Sequence, residues 1–174
     1  MDLTAKQTLN TTIYVESLDE ENTVFINTDL VKSIPWVSWF ETWLESLREN
    51  LPVANGYEVS LRLTSDRQIK TLNSQYRYKN QPTDVLAFAA TETNIPLPID
   101  INEPLYLGDI IISLDTAAKQ AQTQKHSVMV ELAWLASHGL LHLLGWDHPN
   151  DESLTKMLEK QENLLKIVGI VGDY

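Results

Sequence analysis

His138-Gly139-Leu140-Leu141-His142-Leu143-Leu144-Gly145-Trp146-Asp147-His148 holds three of the chain's four histidines, at offsets of four and then six. An offset of four places His138 and His142 one turn apart on the same face of a helix, because the helical period is about 3.6 residues. Two imidazoles so placed can grip one ion. Gly145 offers the left-handed residue with which a helix can end, so the backbone can fold back and carry His148 toward the same point. Three nitrogen ligands without a fourth leave a coordination position open for water or substrate, as a catalytic zinc site requires and a structural one avoids. A lone histidine among leucines would predict nothing of the kind. Here helix pitch, helix breaker and ligand type coincide, and the stretch predicts a metal site.

The spacing His-x3-His-x2-Gly-x2-His is shared with the metzincin proteases, in which a glutamate directly after the first histidine is the general base. Gly139 occupies that position. Without the carboxylate, nothing in the motif can take a proton from water as peptide hydrolysis by those enzymes requires. The stretch therefore argues for a metal and against a protease.

The surrounding chain is suited to a folded core. Its 174 residues, 43 % hydrophobic and 21 % charged, predict one globular domain spanning 1–174. No run approaches the ~20 apolar residues of a membrane helix, and the polar start Met1-Asp2-Leu3-Thr4 does not read as a signal peptide, so no membrane partner and a cytoplasmic location are expected. The absence of cysteine excludes disulfides and thiolate metal sites and leaves histidine nitrogen as the natural anchor for a transition metal. A net charge of −11 argues, as a sum, against a nucleic-acid partner. The distribution argues otherwise: Arg62, Arg67, Lys70, Arg77 and Lys79 face the single acid Asp66 between residues 60 and 80, a local +4. One basic face on an acidic body is a candidate site for a polyanion.

In chain order, residues 1–10 are polar, without periodicity, and expected to be loose. The β-rich runs Ile13-Tyr14-Val15 and Val24-Phe25-Ile26, separated by Asp19-Glu20-Glu21-Asn22, suggest a hairpin or a strand with an appended edge. Pro35 suits the first turn of a helix whose Trp36, Trp39, Phe40, Trp43, Leu44 and Leu47 recur at three and four, an aromatic stripe for a core. Tyr57 to Leu63 alternates as a half-buried strand. Asp66 is placed to cap a helix with Ile69, Leu72 and Tyr76 inward and Arg77 at its end. Val85 to Ala89 reads as a central strand, the proline-rich 91–104 as a loop, and Leu107 to Ile112 as a buried strand with Asp109 the odd residue in it. Ser113 or Asp115 can start a helix to about Gln124. Val128 to Leu144 delivers the first two histidines, and Asp151 opens a last helix carrying Leu154, Met157, Leu158, Leu164 and Leu165. The pattern is α+β, a small mixed sheet of about four strands packed with about five helices.

Taken together, Leu72-Asn73, Tyr76-Arg77, Pro82-Thr83-Asp84-Val85-Leu86-Ala87-Phe88, Leu107-Gly108-Asp109-Ile110 and the histidine stretch resemble the bacterial YbeY family, the rRNA maturation factor and single-strand-specific endoribonuclease. The match runs in order over about 57–168. Two departures are Ala87, where the family usually has serine, and Ala89, where it often has proline. The resemblance implies a zincin-like fold and one Zn2+ per chain held by His138, His142 and His148. It also implies Arg77 and His138 as catalytic residues, and a role in maturing the 3′ end of the small-subunit rRNA and in ribosome quality control. Implied partners are single-stranded RNA and ribosome or ribosome-assembly proteins, with no DNA.

Zinc acts as a Lewis acid on a phosphoryl oxygen, and a guanidinium pairs with phosphate through two donors. RNA brings its own nucleophile, the 2′-hydroxyl, so Gly139 in place of glutamate matters less than it would for a protease. Asp84, Asp109 and Asp147 are candidates to orient the imidazoles from behind, and His126 lies outside the ligand spacing and reads as ordinary surface. Rival readings are a non-catalytic ribosome assembly factor with a structural zinc and, third, a metalloprotease with an acid supplied from elsewhere in the fold.

Overall fold

The computed structural model describes residues 9–17, 28–92 and 102–171. Four strands form one sheet in the order β1-β2-β4-β3: β1 (Thr11–Ser17), β2 (Tyr57–Thr64), β3 (Val85–Ala89) and β4 (Leu105–Ser113). β1 runs parallel to β2 and β2 parallel to β4, while β3 is antiparallel to β4. The described residues form six helices, α1 (Thr28–Ser33), α2 (Trp36–Ser46), α3 (Asp66–Arg77), α4 (Leu114–Gln124), α5 (Val128–Leu143) and α6 (Asp151–Ile167); α2, α3, α4 and α5 pack on the mixed sheet, and α6 packs on α5 and α2. The α+β expectation holds, with the six-residue α1 as the helix beyond the five expected. The expected run Val24-Phe25-Ile26, Pro96 and Pro98 lie outside the described residues.

Alternation in β2 and β4 sorts the two faces. Val59, Leu61 and Leu63 join Ile110 and Ile112 in the main core, against Trp36, Trp39, Phe40 and Trp43 of α2 and the apolar side of α5. The tryptophan stripe is packing, as its spacing predicts, and Trp43 donates its indole N–H to the Leu164 carbonyl at 2.8 Å, tying α2 to α6. On the other face Ile111 and Leu86 meet Ile69 of α3, with Leu72 and Phe88 packed beside them.

β3 is at the edge of the sheet, not its centre. It reads as a central strand because both its faces are covered, by α5 on one side and α3 on the other, and two-sided cover produces a continuous apolar run wherever the strand sits. Its free edge borders a cleft that Val85, Leu86 and Ala87 line.

The starts of α3, α4 and α6 are fixed by side chains. Ser65, one residue before the expected Asp66, caps α3 by accepting from Gln68 N, and Ser113 caps α4. Asp66 instead accepts from Ser113 Oγ and Thr116 Oγ1, both at 2.5 Å, while its own N–H donates to Asp115 Oδ2 at 2.9 Å. The two helix starts thus cap each other. Asn150 opens α6 with a capping box through Ser153. Among the described residues no helix is long and apolar enough to cross a membrane.

Candidate metal centre and its cleft

α5 carries His138 and His142 on one face, and the sequence then turns the chain back. Gly145 has φ +91°, its N–H donates to the His142 carbonyl at 3.0 Å, and the Trp146 N–H donates to the Leu141 carbonyl at 3.0 Å. These are the paired bonds of a helix closed by a left-handed glycine. The turn brings His148 back, and one ring nitrogen from each of His138, His142 and His148 lies within 4.8 Å of the others.

The donor set fits a transition metal. His138 Nε2 and His142 Nε2 are 3.0 Å apart, close to the about 3.3 Å that two nitrogens span across a tetrahedral ion with bonds of about 2.0 to 2.1 Å. Burial, the largest influence, pushes the His138 imidazole below its usual value, against a Gln161 hydrogen bond and the Asp84 charge that favour protonation. His142 is likewise pushed down, first by burial and then by His138 and His148. Neutral rings are the ligand form. The pairing of His138 Nδ1 with Gln161 Oε1 at 3.2 Å makes Nδ1 the donor and leaves the Nε2 lone pair for a metal. Gln161 is itself buried and donates to the Trp134 carbonyl at 3.3 Å, which fixes which end of its amide faces the histidine.

The resemblance did not single out Gln161. A signal existed: a glutamine stands in the apolar stripe of α6 between Met157 and Leu164, and a buried polar side chain must have a partner.

A cleft of about 740 Å3 opens beside the rings, lined by Arg77, Lys79, Glu92, His138, Gly139, His142 and Asp147 among others. Arg77 leaves the end of α3 and reaches the free edge of β3, where its Nη2 donates to the Ala87 carbonyl at 2.9 Å and pairs with Glu92 Oε2 at 3.3 Å. The guanidinium also stacks over the Phe88 ring, 4.9 Å from its centroid. Both bonds use Nη2, so among the described residues the donors on Nε and Nη1 remain for an anion. Glu92, just beyond β3, carried no sequence signal.

The three candidate aspartates separate. Asp84 accepts from Val85 N at 2.8 Å and Gln120 Nε2 at 3.3 Å, and its charge acts on His138. Asp147 accepts from the His148 backbone N–H at 2.8 Å, and its charge acts on His142. Asp109 is not brought to the histidines. Its neighbour Ile110 is the residue that faces Gly139, so strand alternation sends Asp109 to the opposite face, where it accepts from Tyr106 OH at 2.7 Å.

Tyr76 and His126 both depart from the positions their spacing predicts. Tyr76 is 60 % exposed rather than inward, with its ring edge-on to Phe88, and the buried polar residue of α3 is Asn73. His126 is not ordinary surface: its side chain is 14 % exposed and its Nε2 lies 2.5 Å from Glu131 Oε2 in the first turn of α5.

Fold and cleft define an α+β protein with three clustered histidines that could hold a cation and an arginine in the same cleft. The chain belongs to the Endoribonuclease YbeY family, whose model matches residues 22–169. Relatives of that description include a protein of Trichormus variabilis, 57 % identical over 141 residues that cover 80 % of this chain and 80 % of the relative. Another, from a Nostoc species, is 56 % identical over 141 residues, covering 80 % of this chain and 77 % of the relative. The solution structure of TM1509 from Thermotoga maritima has the same fold, with a TM-score of 0.54 at 24 % identity over 90 % of this chain and 89 % of that one.

Proposed function

We propose that this protein is a zinc-dependent endoribonuclease that cuts single-stranded RNA in the cleft between α5 and the free edge of β3. The observation that carries the reading is the shared cleft: Arg77 lines the same cavity as His138 and His142. A zinc ion held by His138, His142 and His148 would supply Lewis acidity toward a phosphoryl oxygen. Arg77 binds the adjacent phosphate through its remaining donors, with Ala87 and Glu92 holding the guanidinium in place. Gln161 keeps His138 in the ligating tautomer, and Asp84 and Asp147 bias the two half-buried rings electrostatically. Gly139 leaves no carboxylate after the first histidine, and a substrate with its own 2′-hydroxyl nucleophile asks less of the protein than a peptide does.

Membership of the family supports a place in rRNA processing, at the 3′ end of the small-subunit RNA and in ribosome quality control, in the cytoplasm and in contact with ribosome or assembly proteins. Sequencing of rRNA 3′ ends in cells carrying only His142→Ala tests this. Unprocessed ends with a folded variant are expected, and normal ends would leave the histidines a structural metal site on an assembly factor.

A further inference from the structure

We propose that Tyr78 is a stacking platform for a nucleobase of the RNA strand entering the histidine cleft. This deepens the endoribonuclease reading and rests on it. Tyr78 ends α3 in the left-handed conformation, φ 58°, ψ 30°, which favours glycine and is strained for a bulky side chain. The fold imposes that conformation: the N–H groups of Tyr78 and Lys79 both return to the carbonyl of buried Asn73, whose side-chain amide holds the Gln81 carbonyl at 2.9 Å. Lys125 ends α4 with the same φ, so the strained backbone by itself marks only a helix end.

What sets Tyr78 apart is what surrounds a residue that is 91 % exposed. Its two chain neighbours, Arg77 and Lys79, both line the histidine cleft, while Tyr78 itself does not, so the chain carries an exposed aromatic residue between two cationic ones at the cleft's border. Among the described residues nothing stacks on it and no hydrogen bond engages its hydroxyl. Behind it the exposed side of α3 carries Arg67 and Lys70, on a chain whose net charge is −11. An aromatic with a free face, set between cationic residues, is the combination with which proteins hold single strands without reading sequence. A tyrosine in a strained turn, where glycine would fit better, contributes its ring and little else.

The test compares Tyr78→Gly and Tyr78→Phe with the wild type, all as zinc-loaded full chains, on a single-stranded oligoribonucleotide containing 2-aminopurine. Tyr78→Gly relieves the backbone, so its Tm should rise by about 2–4 °C. Its KM should nonetheless rise by about 5-fold or more at matched salt, with kcat changed far less and the 2-aminopurine quenching on binding reduced. Tyr78→Phe keeps the ring and should restore both KM and quenching. An unchanged KM and quenching in Tyr78→Gly, with an active wild type, overturns the platform alone. Loss in Tyr78→Phe equal to that in Tyr78→Gly assigns the effect to the hydroxyl and also overturns stacking. A wild type that neither binds nor cuts the oligonucleotide overturns the RNA reading, and the platform with it.

Discussion

Gly139 lies so close to Ile110 that a Cβ at position 139 would sit 2.7 Å from Ile110 Cγ2 and 3.2 Å from its Cγ1. Ile110 is fully buried in the middle of β4 and cannot give way. The residue that separates this motif from a glutamate-bearing protease is therefore also a packing requirement, since it lets α5 press onto the sheet. Alanine is favoured over glycine in a helix by about 1 kcal/mol, yet overpacking a core costs about 1–3 kcal/mol. Gly139→Ala is expected to lower stability by about 1 kcal/mol net in urea unfolding. Adding Ile110→Ala should make the pair non-additive, with part of the glycine cost recovered. Strict additivity would mean that the two residues do not press on each other.

Gln161 should matter to the metal although it would not touch it. Gln161→Leu removes the acceptor that keeps Nδ1 of His138 protonated, and loss of such a partner costs about 10- to 100-fold in metal affinity. Competition with a chromogenic chelator measures this. Affinity unchanged in a folded Gln161→Leu would show that the tautomer is set by something else.

Arg77→Ala should lower cleavage of single-stranded RNA by about 10-fold or more while metal content and folding stay near wild type, because one charge-assisted contact to phosphate contributes about 1.5–3 kcal/mol. Arg77→Lys should recover only part, since an ammonium keeps the charge but not the fork that reaches Ala87, Glu92 and a phosphate together. Equal rates in wild type and Arg77→Ala would remove the arginine from the chemistry.

The depressed imidazoles set a pH dependence. In chelator-treated protein, His138 and His142 resist protonation when folded, whereas the unfolded rings take up protons near the ordinary value of 6.5. The unfolded state thus binds more protons below that pH, so this contribution is fully present above about pH 6.5 and lost as pH falls through it toward the folded values. Unfolding midpoints at pH 7.5 and 5.5 should differ more in wild type than in His138→Asn. A variant with the same pH slope as wild type would contradict it.

Much of this was legible in the sequence because the signals are local. Helix pitch puts His138 above His142, Gly145 is where a left-handed closure can fall, alternation marks β2, and the spacing from Trp36 to Leu47 marks a core helix. The misses are relational. An apolar run such as Val85 to Ala89 shows that two faces are covered but not whether a neighbour lies on both edges. Asp109 could be placed only by knowing that Ile110, and not Asp109, meets α5. Glu92 became visible only when the end of β3 met the end of α3. Gln161 was the recoverable one, a polar residue in an apolar stripe.

RNA cleavage in this cleft requires the three histidines to act through a metal. The most direct measurement is the initial rate of single-stranded RNA cleavage by chelator-stripped protein as zinc is added back. The predicted result is negligible cleavage in the stripped protein and recovery that saturates near one zinc per chain, with no recovery in His142→Ala. Stripped protein that cuts RNA as fast as untreated protein, or a His142→Ala variant that recovers fully, would contradict it.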